Sequence, residues 1–195
     1  FRRVLFRSAG AASQATLQAN RLHDNGGLGI DLGADGVTAN DGLTSADAPN
    51  RDTDHPVITG AGVAATQDSL TVFGAVGTGS GQPAFAGARV EFFKAAVDPS
   101  GYGEGQVYLG FLSADANGRF SGTIAFAAGT LAIGDVVTAT ATDASGHTSE
   151  FGPAWTTTTV AALAPAAFNA FETDTAALAI SGVIRSKTAG ALATL

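Results

Sequence analysis

Val136-Val137-Thr138-Ala139-Thr140-Ala141-Thr142 alternates strictly between apolar and hydroxyl side chains. Period-two alternation is the mark of a strand with two distinct faces. Val137, Ala139 and Ala141 are expected to face a core and Thr138, Thr140 and Thr142 to face out. Small inward residues predict closely packed sheets. Working outward, the neighbouring text repeats the theme. Val57–Ala65, Leu70–Val76, Ala88–Lys94, Val107–Leu112, Phe120–Phe126 and His147–Thr157 are short β-type runs, separated by turn strings such as Asp98-Pro99-Ser100-Gly101 and Asp115-Ala116-Asn117-Gly118. Seven runs at intervals of roughly 8–15 residues predict an antiparallel β-sandwich over residues 57–158.

Composition narrows the function classes. The 195 residues carry 17 acidic and 10 basic side chains, net −7, with no Cys and no Met. Without Cys there is no disulfide framework, thiolate metal site or cysteine nucleophile. No apolar run is long enough to span a membrane as a helix. The acidic balance, with no basic stripe, argues against a nucleic-acid partner. Charged residues are only 14% and hydrophobic ones 45%, too apolar for wholesale disorder. The missing Met and the leading Phe1 predict a piece of a longer protein. Residues 1–8 are basic, and Arg2–Ser8 reads like the conceptual translation of a sequencing adapter. No apolar stretch follows to make it a signal peptide, so it is set aside from the fold. Without Arg2, Arg3 and Arg7 the balance is 7 basic against 17 acidic, net −10.

Residues 9–34 have a different texture. Leu28, Ile30 and Leu32 alternate with Gly29 and Asp31, just after the corner Asn25-Gly26-Gly27. Asn and Gly tolerate positive φ, so this predicts a short strand after a sharp turn. From Asn20 through Asp41 the sequence resembles the closing rung of bacterial right-handed parallel β-helix repeat proteins. That resemblance implies that residues 9–34 are the last rung or rungs of a β-helix. Residues 35–56 read as an Asp/Gly-rich linker loop.

The sandwich resembles the immunoglobulin-like module that follows the β-helix in the same surface proteins. The resemblance rests on Glu91-Phe92-Phe93, on Asp98 through Gly110, and on the stretch from about Thr140 through Phe151. Relatives often place a Cys where Val97 stands, so no thiol role carries over. Residues 159–167 are Ala/Pro-rich and read as a linker. Residues 168–195 resemble the truncated start of an MSHA-type agglutinin biogenesis domain.

Asp31-x-Gly33-x-Asp35-Gly36 imitates the opening of a calcium loop, but position twelve is Gly42 and the bidentate carboxylate is missing. Asp31, Asp35 and Asp41 are the candidate calcium ligands; the plain alternative is turn formation by Asp. His23, His55 and His147 stand apart and read as single surface histidines rather than a zinc set. Glu91, Glu104 and Glu150 are the carboxylates that could do glycosidase chemistry. Gly101, Gly103 and Gly105 would let Glu104 swing, which argues for a loop rather than a catalyst. No nucleophile elbow or phosphate loop occurs. Tyr102, Tyr108 and Trp155 are expected to pack rather than stack on sugars.

The expectation is therefore an all-β chain, the end of a parallel β-helix followed by an immunoglobulin-like antiparallel sandwich. The resemblance implies a non-catalytic structural or adhesive module, extracellular or on a bacterial outer surface. A glycan or cell-surface component would be the partner. The alternative is an accessory or carbohydrate-binding module of a β-helix polysaccharide-active enzyme.

Overall fold

The structure, a computed structural model, describes residues 6–8, 14–79, 81–96 and 99–162. The chain divides into two units, Phe1–Leu163 and Ala164–Leu195. The expected domain start at 168–195 and most of the 159–167 linker lie outside the described residues. In chain order the strands are β1 (Phe6–Ser8), β2 (Ile30–Leu32), β3 (Pro56–Val63), β4 (Ser69–Val76), β5 (Arg89–Ala96), β6 (Glu104–Ser113), β7 (Arg119–Ala125), β8 (Val136–Thr142), β9 (Trp155–Thr156) and β10 (Thr158–Thr159). Helix among the described residues is limited to three short 3-10 turns, so the chain is all-β.

Two four-stranded sheets carry the body, in the orders β10-β3-β4-β7 and β6-β5-β8-β9. Neighbours are antiparallel except β10 on β3, which makes one sheet mixed. Both sheets contribute to one apolar core. Ile58, Val63, Leu70, Val72, Val76, Phe120 and Ile124 come from the first, and Val90, Phe92, Leu109, Val137, Ala139 and Ala141 from the second. Phe92 and Phe120 meet edge-on across it, ring centroids 5.4 Å apart. Each buried ring of this kind contributes about 1.5–3 kcal/mol.

Six of the seven expected runs are strands within a few residues of their predicted ends. The seventh differs. Residues 147–153 run along β8 without regular strand geometry, through Ser149 N–H to Ala141 O, Gly152 N–H to Ala139 O and the bridge Thr142–Thr148. Only 155–156 and 158–159 are strand. The irregularity lets the Thr148 and Glu150 side chains turn toward another part of the chain.

That other part is residues 14–38. It lies on the outer face of the β5–β8 sheet and forms a second apolar cluster of Leu22, Ile30, Leu32, Phe93 and Phe151, with Phe6, Leu17 and Tyr108 packed against it. The expectation that Thr138, Thr140 and Thr142 face solvent is corrected: they are 0%, 2% and 2% exposed, with Gly103 against Thr138 and the run after β8 bonded to Thr138 and Thr142. Residues 6–8, set aside in the sequence reading, form β1 and pair parallel with β2 in the register Phe6–Ile30, Arg7–Asp31, Ser8–Leu32. The segment 35–56 has no strand before Pro56, and its regular element is the 3-10 turn Pro49–Asp52.

Candidate functional site

The outer face of the β5–β8 sheet is where the molecule concentrates its buried polar groups. Glu91, Glu104, Glu150, Thr148 and Ser149 are all 4% exposed or less. A buried carboxylate is costly unless hydrogen bonds satisfy it. Here the donors are main-chain N–H groups of residues 17–38, a stretch with little strand ladder of its own to use them.

Glu91 lies on β5, between Val90 and Phe92, so strand alternation turns it away from the inner core. Its Oε2 accepts the Ala19 N–H at 2.7 Å, and its Oε1 accepts Arg89 Nε at 2.8 Å. The Arg89 guanidinium also donates to the Tyr108 hydroxyl at 3.1 Å and stacks on Phe111, 3.4 Å from the ring centroid. Glu150 sits in the irregular run after β8. Its Oε1 accepts the Leu32 N–H at 2.8 Å and its Oε2 the Thr38 N–H at 2.8 Å, while the Thr38 hydroxyl donates to Oε1 at 3.2 Å. Burial raises the Glu150 carboxyl above its usual value, against the lowering effect of those bonds. Glu104 opens β6 and receives the Asn25 N–H at 3.3 and 3.4 Å.

The glycines around Glu104 serve a different purpose from the one expected. A Cβ on Gly103 would come within 2.3 Å of Thr138, and one on Gly105 within 2.8 Å of Phe151. They permit close packing, and Glu104 is held 4% exposed rather than swinging.

Two asparagines and one aspartate complete the attachment. Asn50 is fully buried and ties three segments: its Oδ1 accepts the Ala15 N–H at 2.6 Å, and its Nδ2 donates to Ala15 O at 2.9 Å and Thr148 O at 2.6 Å. Asn50, Arg51 and Asp52 all adopt positive φ, a strained turn that sets Asn50 into that position. Asn40 brackets His55, accepting its N–H and donating to its carbonyl, both at 2.9 Å. Asp54 accepts the Gly42 N–H at 2.8 Å. Asn50 and Asp54 were not singled out in the sequence, and Asn40 stood there only as a stand-in for the missing carboxylate of the calcium loop. The only signal was an Asn or Asp inside a loop, which local hydrogen bonding explains equally well.

The candidate calcium ligands are placed differently from one another. Asp31 is 2% exposed, paired with Arg7 Nε at 3.1 Å, and accepts the Gly36 N–H. Asp35 and Asp41 are exposed, and Asp41 accepts the Leu43 N–H in a local turn. The charges of Asp41 and Asp35 reach Asp52, whose carboxyl is raised first by burial and then by these neighbours. Among the described residues no group of three or more His, Asp or Glu side chains is arranged to hold a metal ion.

The histidines stay separate. His23 pairs with Asp24 and His147 with Asp143, each at 2.8 Å. His55 departs from the surface reading. It is 4% exposed, edge-on to Tyr102 with centroids 5.3 Å apart, and burial pulls it down to about 4. Tyr108 and Trp155 stand on the opposite edge strands β6 and β9, so they form no common row. No helix among the described residues is long and apolar enough to cross a membrane. No protein-family model matches the chain.

Proposed function

We propose that this chain is a non-catalytic structural or adhesive module of a large bacterial secreted or surface protein, in which an immunoglobulin-like sandwich closes the end of a parallel β-helix. The observation that carries the proposal is the use of Glu91, Glu104 and Glu150. The carboxylates best suited to acid–base chemistry are sealed under residues 17–38 and occupied by main-chain donors. A face used in this way fastens a neighbour and offers no open cleft to a substrate.

Two further features support the architecture. The strand order β3-β4-β7 against β6-β5-β8-β9 parallels the A-B-E and C′-C-F-G orders of immunoglobulin sandwiches. The β1–β2 pair is parallel, with partners 24 residues apart, as between successive coils of a β-helix. Covering the last coil removes an exposed apolar end and a free strand edge, which invite aggregation. Calcium at Asp31, Asp35 and Asp41 is a separate proposal that rests on their spacing.

A glycan array probed with the whole chain separates a purely structural role from a glycan-binding one. The structural role predicts no saturable binding. Saturable binding to a cell-surface glycan would leave the adhesive role, and saturable binding confined to a polysaccharide substrate would replace both with the accessory carbohydrate-binding module.

A further inference from the structure

We infer that Asn25 is a deamidation site whose conversion loosens the attachment of residues 22–25 to Glu104. The chain has two Asn-Gly pairs among its described residues, Asn25-Gly26 and Asn117-Gly118. A following glycine favours cyclisation because no side chain obstructs the attacking nitrogen. The two pairs differ in whether that nitrogen is free. The Gly118 N–H donates to Asp115 O at 3.1 Å within a tight turn, at φ +74°. The Gly26 N–H makes no hydrogen bond with the described residues, Gly26 is exposed, and the space where its Cβ would stand is open.

The Asn25 side chain is equally uncommitted. Both Oδ1 and Nδ2 are shielded from solvent without a hydrogen-bond partner. The amide therefore has no hydrogen bond to break before it turns toward the Gly26 nitrogen, whereas the buried amide of Asn50 makes three.

The chemistry needs only water. The Gly26 nitrogen attacks Asn25 Cγ and gives up its proton to solvent. The N–Cγ bond forms, the Cγ–Nδ2 bond breaks, and ammonia departs carrying a proton from solvent. Water then opens the succinimide. Addition at Cγ yields Asp, and addition at the main-chain carbonyl yields isoaspartate, with the chain rerouted through one extra methylene.

Either product places a carboxylate on the residue whose N–H is bonded to buried Glu104. Two like charges at one poorly solvated site oppose each other. The Glu104 bonds are already long, at 3.3 and 3.4 Å, so this attachment has little to lose before it opens. The inference rests on this geometry and stands apart from the role proposed above.

The test is peptide mapping by mass spectrometry after incubating the full chain in mildly alkaline buffer at physiological temperature. The Asn25 peptide is expected to gain deamidated and isoaspartate forms several-fold faster than the Asn117 peptide, although Asn117 is exposed. Equal rates, or faster conversion at Asn117, would overturn the assignment. The consequence is read on Asn25→Asp and Asn117→Asp by hydrogen exchange. Asn25→Asp should speed exchange at the Leu22 and Asn25 amides at least several-fold and leave Leu32, β4 and β7 unchanged, while Asn117→Asp leaves Leu22 and Asn25 as in the wild type. Unchanged exchange in Asn25→Asp would refute the loosening.

Discussion

Glu91 and Phe92 are adjacent on β5 and both are 0% exposed, yet they are buried against different parts of the chain. Phe92 enters the inner core with Phe120, Val137 and Ala139, where shape and apolar area hold the sheets together. Glu91 faces residues 14–38, where carboxylates receive main-chain N–H groups. The inner face is sequence-tolerant so long as volume is kept. The outer face depends on particular oxygens meeting particular donors, and removing one partner leaves the other buried and unsatisfied. One sheet is thus held by packing on one side and by directional hydrogen bonds on the other.

The largest effect should come from the inner face. Phe92→Ala is expected to cost about 3–5 kcal/mol in urea melts, with m unchanged. On the outer face, Glu150→Ala strands the Leu32 and Thr38 N–H groups and should cost about 2–4 kcal/mol. Glu150→Gln should cost less, because one carbonyl oxygen can still serve one donor. A loss below about 1 kcal/mol for Glu150→Ala would mean that packing alone holds both faces.

Acidity sharpens the contrast further. His55 is depressed from 6.5 to about 4, so its contribution is present above 6.5 and lost as pH falls through about 4. The loss should reach at most about 3 kcal/mol and be absent in His55→Phe, which keeps a ring against Tyr102. Glu150, raised by burial, has the opposite sign. Its contribution is full below the ordinary glutamate value and fades as pH rises through the raised one. Melts of His55→Phe and Glu150→Gln between pH 4 and 7 should therefore diverge from the wild type in opposite directions. The smallest effect belongs to the Asp35–Asp41 loop. A site of about 10⁻³ M, with calcium at roughly twice that concentration, adds about 0.6 kcal/mol, abolished by Asp35→Ala. Superimposable melts in calcium and in EDTA would remove the metal.

The strands of the two-sheet body were legible because each carries its own local signal. Leu70–Val76 and Val136–Thr142 alternate or run apolar between Gly- and Asp-rich turns, and their ends fall where the turns say. The cover on the outer face was not legible. Thr138, Thr140 and Thr142 look solvent-facing in any short window, yet contacts from other segments cover them: Gly103 packs on Thr138, which donates to Gly152 O, and Thr142 shares a hydrogen bond with Thr148. Glu104 misled for the same reason. Flanking glycines signal freedom in a sequence, but here they make room for Thr138 and Phe151. Asn50 and Asn40 gave no distinguishing signal, since an asparagine in a loop reads as a turn former whether it is exposed or fully buried.

Residues 14–38 are an integral layer of this body, fastened by Glu91 and Glu150, and native-state hydrogen exchange tests that attachment most directly. The Ala19, Leu32 and Thr38 amides should open with the same free energy as Val90 and Ala141 on the inner face, because they are released only when the sheet itself unfolds. In Glu150→Ala, Leu32 and Thr38 should lose that protection while Val90 keeps most of its own. If Ala19, Leu32 and Thr38 exchange orders of magnitude faster than Val90 in the wild type, the segment is a loosely held tail and the account fails.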